Sequence, residues 1–219
     1  MLDVQARLQG AEAVAVGVVR IGAPDGFGVG FLAPRLASLA ERHPALTIQI
    51  VPTPRGFSLS RREADLAVMV GRPEKGRLVA WKLVDYALGL YASPAYLAEH
   101  VAPEEPAELA GHRLVGYVED LIATPSLTYT TEFLRGWRSQ IELTSAIGQV
   151  AVVRAGAGIG VLHAYLAQAD CEAGREELVD GVLVHPATEP VYEGVVRAIA
   201  EQLQANANVR DRTVVRTFG

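Results

Sequence analysis

The spacing of hydrophobic positions changes several times along the first 70 residues. Apolar and β-branched residues form continuous runs over residues 17–24 and 65–71, and they alternate with polar residues over 46–51. These patterns are typical of buried and half-buried strands. Between the first two strands, apolar residues recur at helical spacing over 31–42, and a short polar helix or turn precedes the third strand. The order β-α-β-α-β predicts a mostly parallel sheet covered by helices.

Pro34 leaves the start of the first helix open. A proline is tolerated in the first helical turn, so the regular helix starts near Phe31, or an earlier turn is kinked at Pro34. The His-Pro pair at 43 and 44 predicts the end of this helix.

A long extended run over residues 77–93 predicts a connection from one lobe to a second. Ser93 followed by proline predicts a capped helix start. A further helix is predicted from Ala146, ending at Gly156 or Gly158 as a C-cap glycine. A last strand and helix follow, and the chain from Asn206 is predicted to be loosely attached.

Composition limits the function classes. The net charge of −5 argues against nucleic-acid binding by this chain alone, because phosphate binding requires a clustered positive surface. The lone Cys171 excludes a disulfide framework within one chain and fits a reducing compartment. We find no apolar run long enough to span a membrane and no pattern of a signal peptide.

The glycine-rich stretch "RIGAPDGFGVGFLAPRL" at residues 20–36 superficially resembles a nucleotide-binding loop. The Rossmann glycine spacing fails in context, because Gly28 falls inside the helical pattern, and no Lys-Ser or Lys-Thr pair follows as in a P-loop. The turn still presents backbone N–H groups at a helix N-terminus, which favours an anion or polar group. The sequence contains no motif of a metalloprotease, zinc site or serine hydrolase, and we expect no enzyme activity, metal or cofactor.

Three stretches carry a family resemblance: "EADLAVMVG", "LYASPAYLA" and "VRAGAGIGVL". Together with their order, they resemble the effector-binding domain of LysR-type transcription regulators over about residues 2–205. The resemblance implies an α/β fold of two Rossmann-like lobes of the periplasmic-binding-protein type II kind, joined by two crossover strands, with a small-molecule effector between them. The implied divisions are as follows: the end of a linker helix at 1–15, lobe I at 16–85 plus 183–205, lobe II at 86–182, and a C-terminal tail at 206–219.

The resemblance also implies partners and location. We expect a cytoplasmic regulator that binds DNA only through an N-terminal winged helix-turn-helix not included in this chain. A homodimer or higher homo-oligomer is expected, in which the helix matching 31–42 meets the partner's helix matching 146–156, both of which carry an excess of apolar residues. The alternative function is a solute-binding protein of a transporter with the same fold.

The candidate ligand-binding residues lie mostly at strand ends and in loops: Asp25, Gly26, Phe27, Arg55, Thr124, Ser126, Tyr129, Thr144, Ser145 and His163. Ligands in open α/β folds gather at the C-terminal ends of strands. For the opening turn at 25–27, the alternative is a plain turn with Asp25 as a local cap, and for Arg55 it is a solvated loop arginine. Thr144 and Ser145 also fit ordinary helix capping, and His163, where proline is usual in the family, also fits a structural role.

The opening turn, Arg55 and the helix start at Ser145 are predicted to converge on one pocket. Two helix N-termini and one guanidinium favour an organic acid. The fallback is an uncharged aromatic ligand, with Phe27 and Tyr129 as its walls.

Overall fold

The computed structural model describes residues 16–52, 64–70, 79–84, 86–121, 130–167, 179–180 and 214–218. The strands in these residues are β1 Gly17–Ala23, β2 Leu46–Pro52, β3 Leu66–Val70, β4 Val79–Val84, β5 Leu88–Ala92, β6 Leu114–Tyr117, β7 Ile141–Leu143, β8 Ile159–His163, β9 Val179–Asp180 and β10 Val214–Phe218. The α-helices are α1 Leu36–Arg42, α2 Pro94–Glu99, α3 Thr130–Phe133 and α4 Ala146–Arg154.

The first sheet has the order β2-β1-β3-β10-β4, and every neighbouring pair is parallel. β1 pairs with β2 along its whole length, from Gly17 with Leu46 to Ala23 with Pro52. Val19 and Ile21 of β1 are buried in a core with Phe31 and Leu39. This sheet and residues 24–42 are called the first lobe below. The parallel sheet predicted from the first 70 residues is confirmed.

The helical segment after β1 is irregular. A π-helix spans Gly26–Leu32, a 3-10 turn spans Ala33–Arg35, and the α-helix begins only at Leu36. Because proline cannot donate a backbone hydrogen bond and its ring crowds the preceding turn, Pro34 interrupts the regular helix. An irregular earlier turn, one of the two alternatives, is therefore present, and a regular helix starting near Phe31 is wrong.

The second sheet has the order β7-β6-β8-β5-β9. β6 is parallel to β7 and β8, whereas β5 is antiparallel to β8 and β9. Alternate strand residues face opposite sides, as the pleat requires. Val115 and Leu162 pack with α4 on one face, and their neighbours Leu114 and Val161 pack with α2 on the other. This sheet and its helices are called the second lobe.

The helix ends of the second lobe follow the predicted capping. The Ser93 side chain accepts a hydrogen bond from the N–H of Tyr96 at 3.2 Å, and Pro94 is the first residue of α2. Gly156 follows α4 with a φ of +80°, a conformation that favours glycine. The predicted cap at Ser93 and the predicted helix end at Gly156 are confirmed.

The structure of residues 214–218 differs from the one predicted from the sequence. We expected this segment to be loosely attached, but it forms β10, which pairs with β3 and β4 in the first sheet. Its sequence "VVRTF" is rich in β-branched and aromatic residues, which suits a strand. The lobe boundaries at 85, 183 and 205 stay predictions.

The predicted dimer interface used apolar residues on the helices at 31–42 and 146–156. In the structure Phe31 and Leu39 are 3% and 2% exposed, and Val150 and Val153 are 6% and 0% exposed. All four lie in the cores of the two lobes, so they do not contribute exposed apolar surface to a subunit interface. Leu36 and Ile147, the other two apolar residues on which the interface prediction rested, are only half-buried. The exposed apolar surface of the two helices is therefore smaller than predicted, and a homo-oligomer stays a prediction.

A membrane-spanning helix would need a long, uniformly apolar segment. Within the part of the chain that the structure describes, no helix meets that requirement.

Candidate functional site

The turn after β1 directs Asp25 toward the second lobe. β1 ends at Ala23, and the N–H of Gly28 donates to the carbonyl of Pro24 at 2.8 Å. Asp25 has helical backbone angles, and its side chain makes no capping bond to its own helix. The expectation of Asp25 as a local cap is therefore wrong, because its carboxylate reaches residues about 120 positions further along the chain.

The carboxylate of Asp25 occupies the N-terminus of α4. The hydroxyl of Ser145 donates to it at 2.5 Å, and the N–H groups of Ala146 and Ile147 point to it at 3.3 and 3.4 Å. Ser145 also accepts a hydrogen bond from the N–H of Gly148 at 3.0 Å, so it caps α4 as predicted. An anion is stabilised at this position by the helix dipole and by charge-assisted hydrogen bonds. The two lobes are thus joined by a carboxylate seated on a helix N-terminus.

The glycines of the opening turn allow this close approach. A Cβ atom on Gly26 would lie 3.1 Å from the side chains of Ala146 and Leu166, and one on Gly30 would overlap Leu166. A Cβ on Gly28 would lie 3.1 Å from Ile50 within the first lobe. The lack of a side chain at Gly26 and Gly30 therefore allows close packing against the second lobe. This packing explains the two glycines, and no bound phosphate is needed to account for them.

Aromatic side chains from both lobes meet beside Asp25. The ring of His163 lies 5.1 Å from Tyr86 and 5.5 Å from Tyr165, and Tyr165 meets Phe31 edge-on at 5.9 Å. Phe31 stacks on Phe27 at 5.2 Å. Tyr165 packs against the cores of both lobes. The group Phe27, Phe31, Tyr86, His163 and Tyr165 is called the aromatic cluster below.

Burial keeps the polar members of the aromatic cluster uncharged near neutral pH. Burial lowers the pKa of His163 to about 4, and the nearby Asp25 carboxylate opposes this shift. Burial raises the pKa of Tyr86. Burial raises the pKa of Tyr165 well above its usual value, and Tyr86, Tyr117 and Asp25 add to the increase. The site therefore combines one carboxylate with neutral hydroxyl and imidazole groups.

The structure brings together only part of the predicted site. Asp25, Gly26 and Ser145 meet at the N-terminus of α4, and His163 lies beside them in the aromatic cluster. Thr144 is exposed. Phe27 is 2% exposed and belongs to the first-lobe core, so in this conformation it is not an accessible wall for an aromatic ligand.

Four predicted site residues lie outside the described residues: Arg55, Thr124, Ser126 and Tyr129. Their part in the site stays a prediction.

Tyr86 and Tyr165 are the site residues that the sequence analysis missed. Tyr165 comes two residues after the end of β8, and Tyr86 lies on the connection between β4 and β5. Tyr165 follows β8 closely, and ligands in open α/β folds gather at strand ends, so its position in the sequence carried a signal.

A metal site needs several clustered ligands. Within the described ranges, no group of three or more His, Cys, Asp or Glu side chains is arranged to hold a metal ion.

Comparison with known proteins gives a consistent result. Residues 13–192 match the family model described as the LysR substrate binding domain. The HTH-type transcriptional regulator CrgA of Neisseria meningitidis is 26% identical over 181 residues, which cover 80% of this chain and 59% of that protein. The HTH-type transcriptional regulator DmlR of Escherichia coli is 32% identical over 103 residues, which cover 47% of this chain and 34% of that protein.

Solved structures agree in fold. The regulatory domain of CrgA, a LysR-type transcriptional regulator, matches with a TM-score of 0.65 at 23% identity, covering 87% of this chain and 98% of that one. The effector domain of the transcriptional regulator AmpR of Pseudomonas aeruginosa matches with a TM-score of 0.60 at 18% identity, covering 89% of this chain and 99% of that one. The chain spans 40% to 59% of the length of the first curated relatives that it matches.

Proposed function

Because the chain belongs to the LysR substrate binding domain family, we propose that it senses a small organic acid bound between its two lobes. The ligand carboxylate takes the place of the Asp25 carboxylate at the N-terminus of α4. The change in the contact between the lobes is the signal that is passed to a DNA-binding module of the longer regulator.

The contact of Asp25 with α4 is the observation that carries this proposal. It demonstrates that the helix N-terminus accommodates a carboxylate, with the Ser145 hydroxyl and the N–H groups of Ala146 and Ile147 as donors. A ligand carboxylate has the same shape and charge, so it satisfies the same donors.

Electrostatics makes the two carboxylates alternatives. Two like charges within a few ångströms repel each other, and the neutral aromatic cluster supplies no cation to compensate. A bound acid therefore displaces Asp25, and the lobe contact opens or rearranges. In this proposal Arg55 supplies the compensating positive charge for the ligand.

The remaining expectations belong to the same proposal. The family relatives are named as transcriptional regulators, so we assign no catalytic residue to this chain. These names give no support to the transporter alternative. We place the regulator in the cytoplasm, acting on DNA as a homo-oligomer through a helix-turn-helix domain outside this chain.

A binding screen tests the proposal. Small mono- and dicarboxylates and their uncharged amides are screened by thermal shift, and hits are measured by isothermal titration calorimetry. At least one acid should bind, and its amide should bind at least tenfold more weakly, because the amide loses a charge-assisted hydrogen bond.

Two variants locate the acid. Asp25→Asn should tighten binding by about tenfold, because it removes the competing charge. Ser145→Ala should weaken binding by about 10- to 150-fold, the scale of one hydrogen bond to a charged group. Asp65→Asn and Ser93→Ala are matched controls, since Asp65 accepts from the Arg20 N–H within the first lobe and Ser93 caps α2. Equal binding of acid and amide, or weaker binding by Asp25→Asn, would contradict the proposal.

A further inference from the structure

A concave site lies in the second lobe on the face opposite α4. It is a partly open pocket of about 340 Å³. Its floor is formed by strands β5 and β8, and its walls come from α2, the 3-10 helix Pro106–Gly111 and α3. The side chains that form its apolar interior are Leu90, Ala92, Leu97, Leu109, Phe133 and Ile159.

This pocket is larger than ordinary packing leaves. Protein cores contain few voids larger than a water molecule, whereas small-molecule sites begin at roughly 300 Å³. Leu109, Ile159 and Ala92 are almost fully buried, so the apolar floor is part of a stable core. The lobe therefore holds a preformed apolar recess that fits the body of a small ligand.

The mouth of the pocket is acidic. Glu104 and Glu105 line it from the loop before the 3-10 helix, and Glu132 lines it from α3. The described lining contains no lysine or arginine. Glu108 adds a carboxylate nearby, which accepts the N–H of Glu104 at 2.7 Å. These charges repel an organic acid and attract a cation.

We propose that this pocket binds a small amphiphilic cation, with its aromatic or alkyl group in the apolar recess and its ammonium group at the glutamate mouth. Apolar burial supplies most of the binding, and the carboxylates select the sign of the charge. The site is independent of the acid site at α4, because the second sheet separates the two and their charge preferences are opposite.

Three probes of similar size and different charge test this site: 2-phenylethylammonium, the uncharged 2-phenylethanol and the anion 3-phenylpropionate. Binding is followed by protein-observed NMR of the whole chain. The cation should bind about three- to tenfold more tightly than the alcohol, the scale of two or three exposed charge pairs, and the anion should bind most weakly. Raising the salt concentration should reduce the difference. The shifted signals should belong to Leu97, Phe133 and Ile159.

Variants of the glutamates at the mouth of the pocket give the decisive comparison. The double variant Glu104→Gln with Glu132→Gln should at least halve the preference for the cation over the alcohol, since it removes two of the three lining carboxylates at exposed positions and leaves the recess unchanged. The matched control is Glu119→Gln with Glu142→Gln, which changes the net charge equally at exposed positions outside the lining. Equal binding of cation and alcohol, an equal effect of the control variant, or shifts centred on Ser145 would overturn the proposal.

Discussion

Replacing Asp25 by Asn is the most direct test of the contact between the lobes. The substitution keeps the size of the side chain and one acceptor oxygen but removes the negative charge. The Ser145 hydroxyl, now 2.5 Å from a carboxylate oxygen, would donate to a neutral amide oxygen. The charge at the N-terminus of α4 would also be lost.

The free energy by which the substitution weakens the lobe contact follows from these two losses. A hydrogen bond to a charged group contributes about 1 kcal/mol more than a neutral one. An anion at a helix N-terminus contributes a further 0.3–1 kcal/mol or so. Together the lobe contact should weaken by about 1–2 kcal/mol, so a state with separated lobes should become about 5 to 30 times more populated.

Two measurements report this opening. Hydrogen exchange of the Ala146 and Ile147 amides should accelerate by about the same factor, because both amides point to Asp25 in the closed state. Spin labels on Ala40→Cys of α1 and Ala151→Cys of α4, both exposed positions, should show a broader and longer distance distribution. The labelled protein also carries Cys171→Ser.

Asp65→Asn is the control for this experiment. Asp65 accepts the N–H of Arg20 at 2.8 Å inside the first lobe, so its loss should lower overall stability without changing the distance between the labels. If Asp25→Asn leaves both exchange and distance unchanged, or if Asp65→Asn changes the distance as much, the contact does not hold the lobes together.

Two further predictions concern stability. Gly158→Ala should lower the free energy of unfolding by about 1–3 kcal/mol in urea denaturation, because its Cβ would overlap the backbone carbonyl of Arg113, whereas Gly111→Ala, which meets nothing within 4 Å, should have little effect. Burial lowers the pKa of His163 to about 4 in the folded chain, whereas the ordinary pKa of histidine is 6.5. The unfolded chain therefore binds an extra proton between these pH values, and stability rises with pH there by about 3 kcal/mol in all. His163→Phe should remove this part of the pH dependence, and an unchanged slope would contradict the burial of a neutral imidazole.

Local signals in the sequence predicted much of the fold. The β-branched runs of β1 and β3 and the alternation in β2 identify three strands because the burial of a strand leaves a hydrophobic pattern in its own residues. Ser93 and Gly156 mark helix ends because capping depends on a few neighbouring residues. β10 was missed as a strand because its place between β3 and β4 depends on partners more than 120 residues away.

The site was predictable residue by residue but not as an arrangement. Asp25 and Ser145 were both identified, one from a strand end and one from a helix start, and both were assigned to a ligand. Their contact with each other depends on how the lobes dock, which no local pattern specifies. Tyr86 was missed for the same reason, because a tyrosine on a connecting segment does not reveal that it will meet Tyr165 of the second lobe.

The glycines of the opening turn connect this docking to sensing. Gly26 and Gly30 bring the π-helix close enough to Leu166 and Ala146 for the short side chain of Asp25 to reach α4. A ligand that displaces this side chain must also change a tightly packed contact, because packed surfaces shift between discrete arrangements more readily than they deform. Under the proposed function, the affinity for an acid and the angle between the lobes are therefore coupled. A substitution such as Gly30→Ala, which weakens only the packing, should change both together.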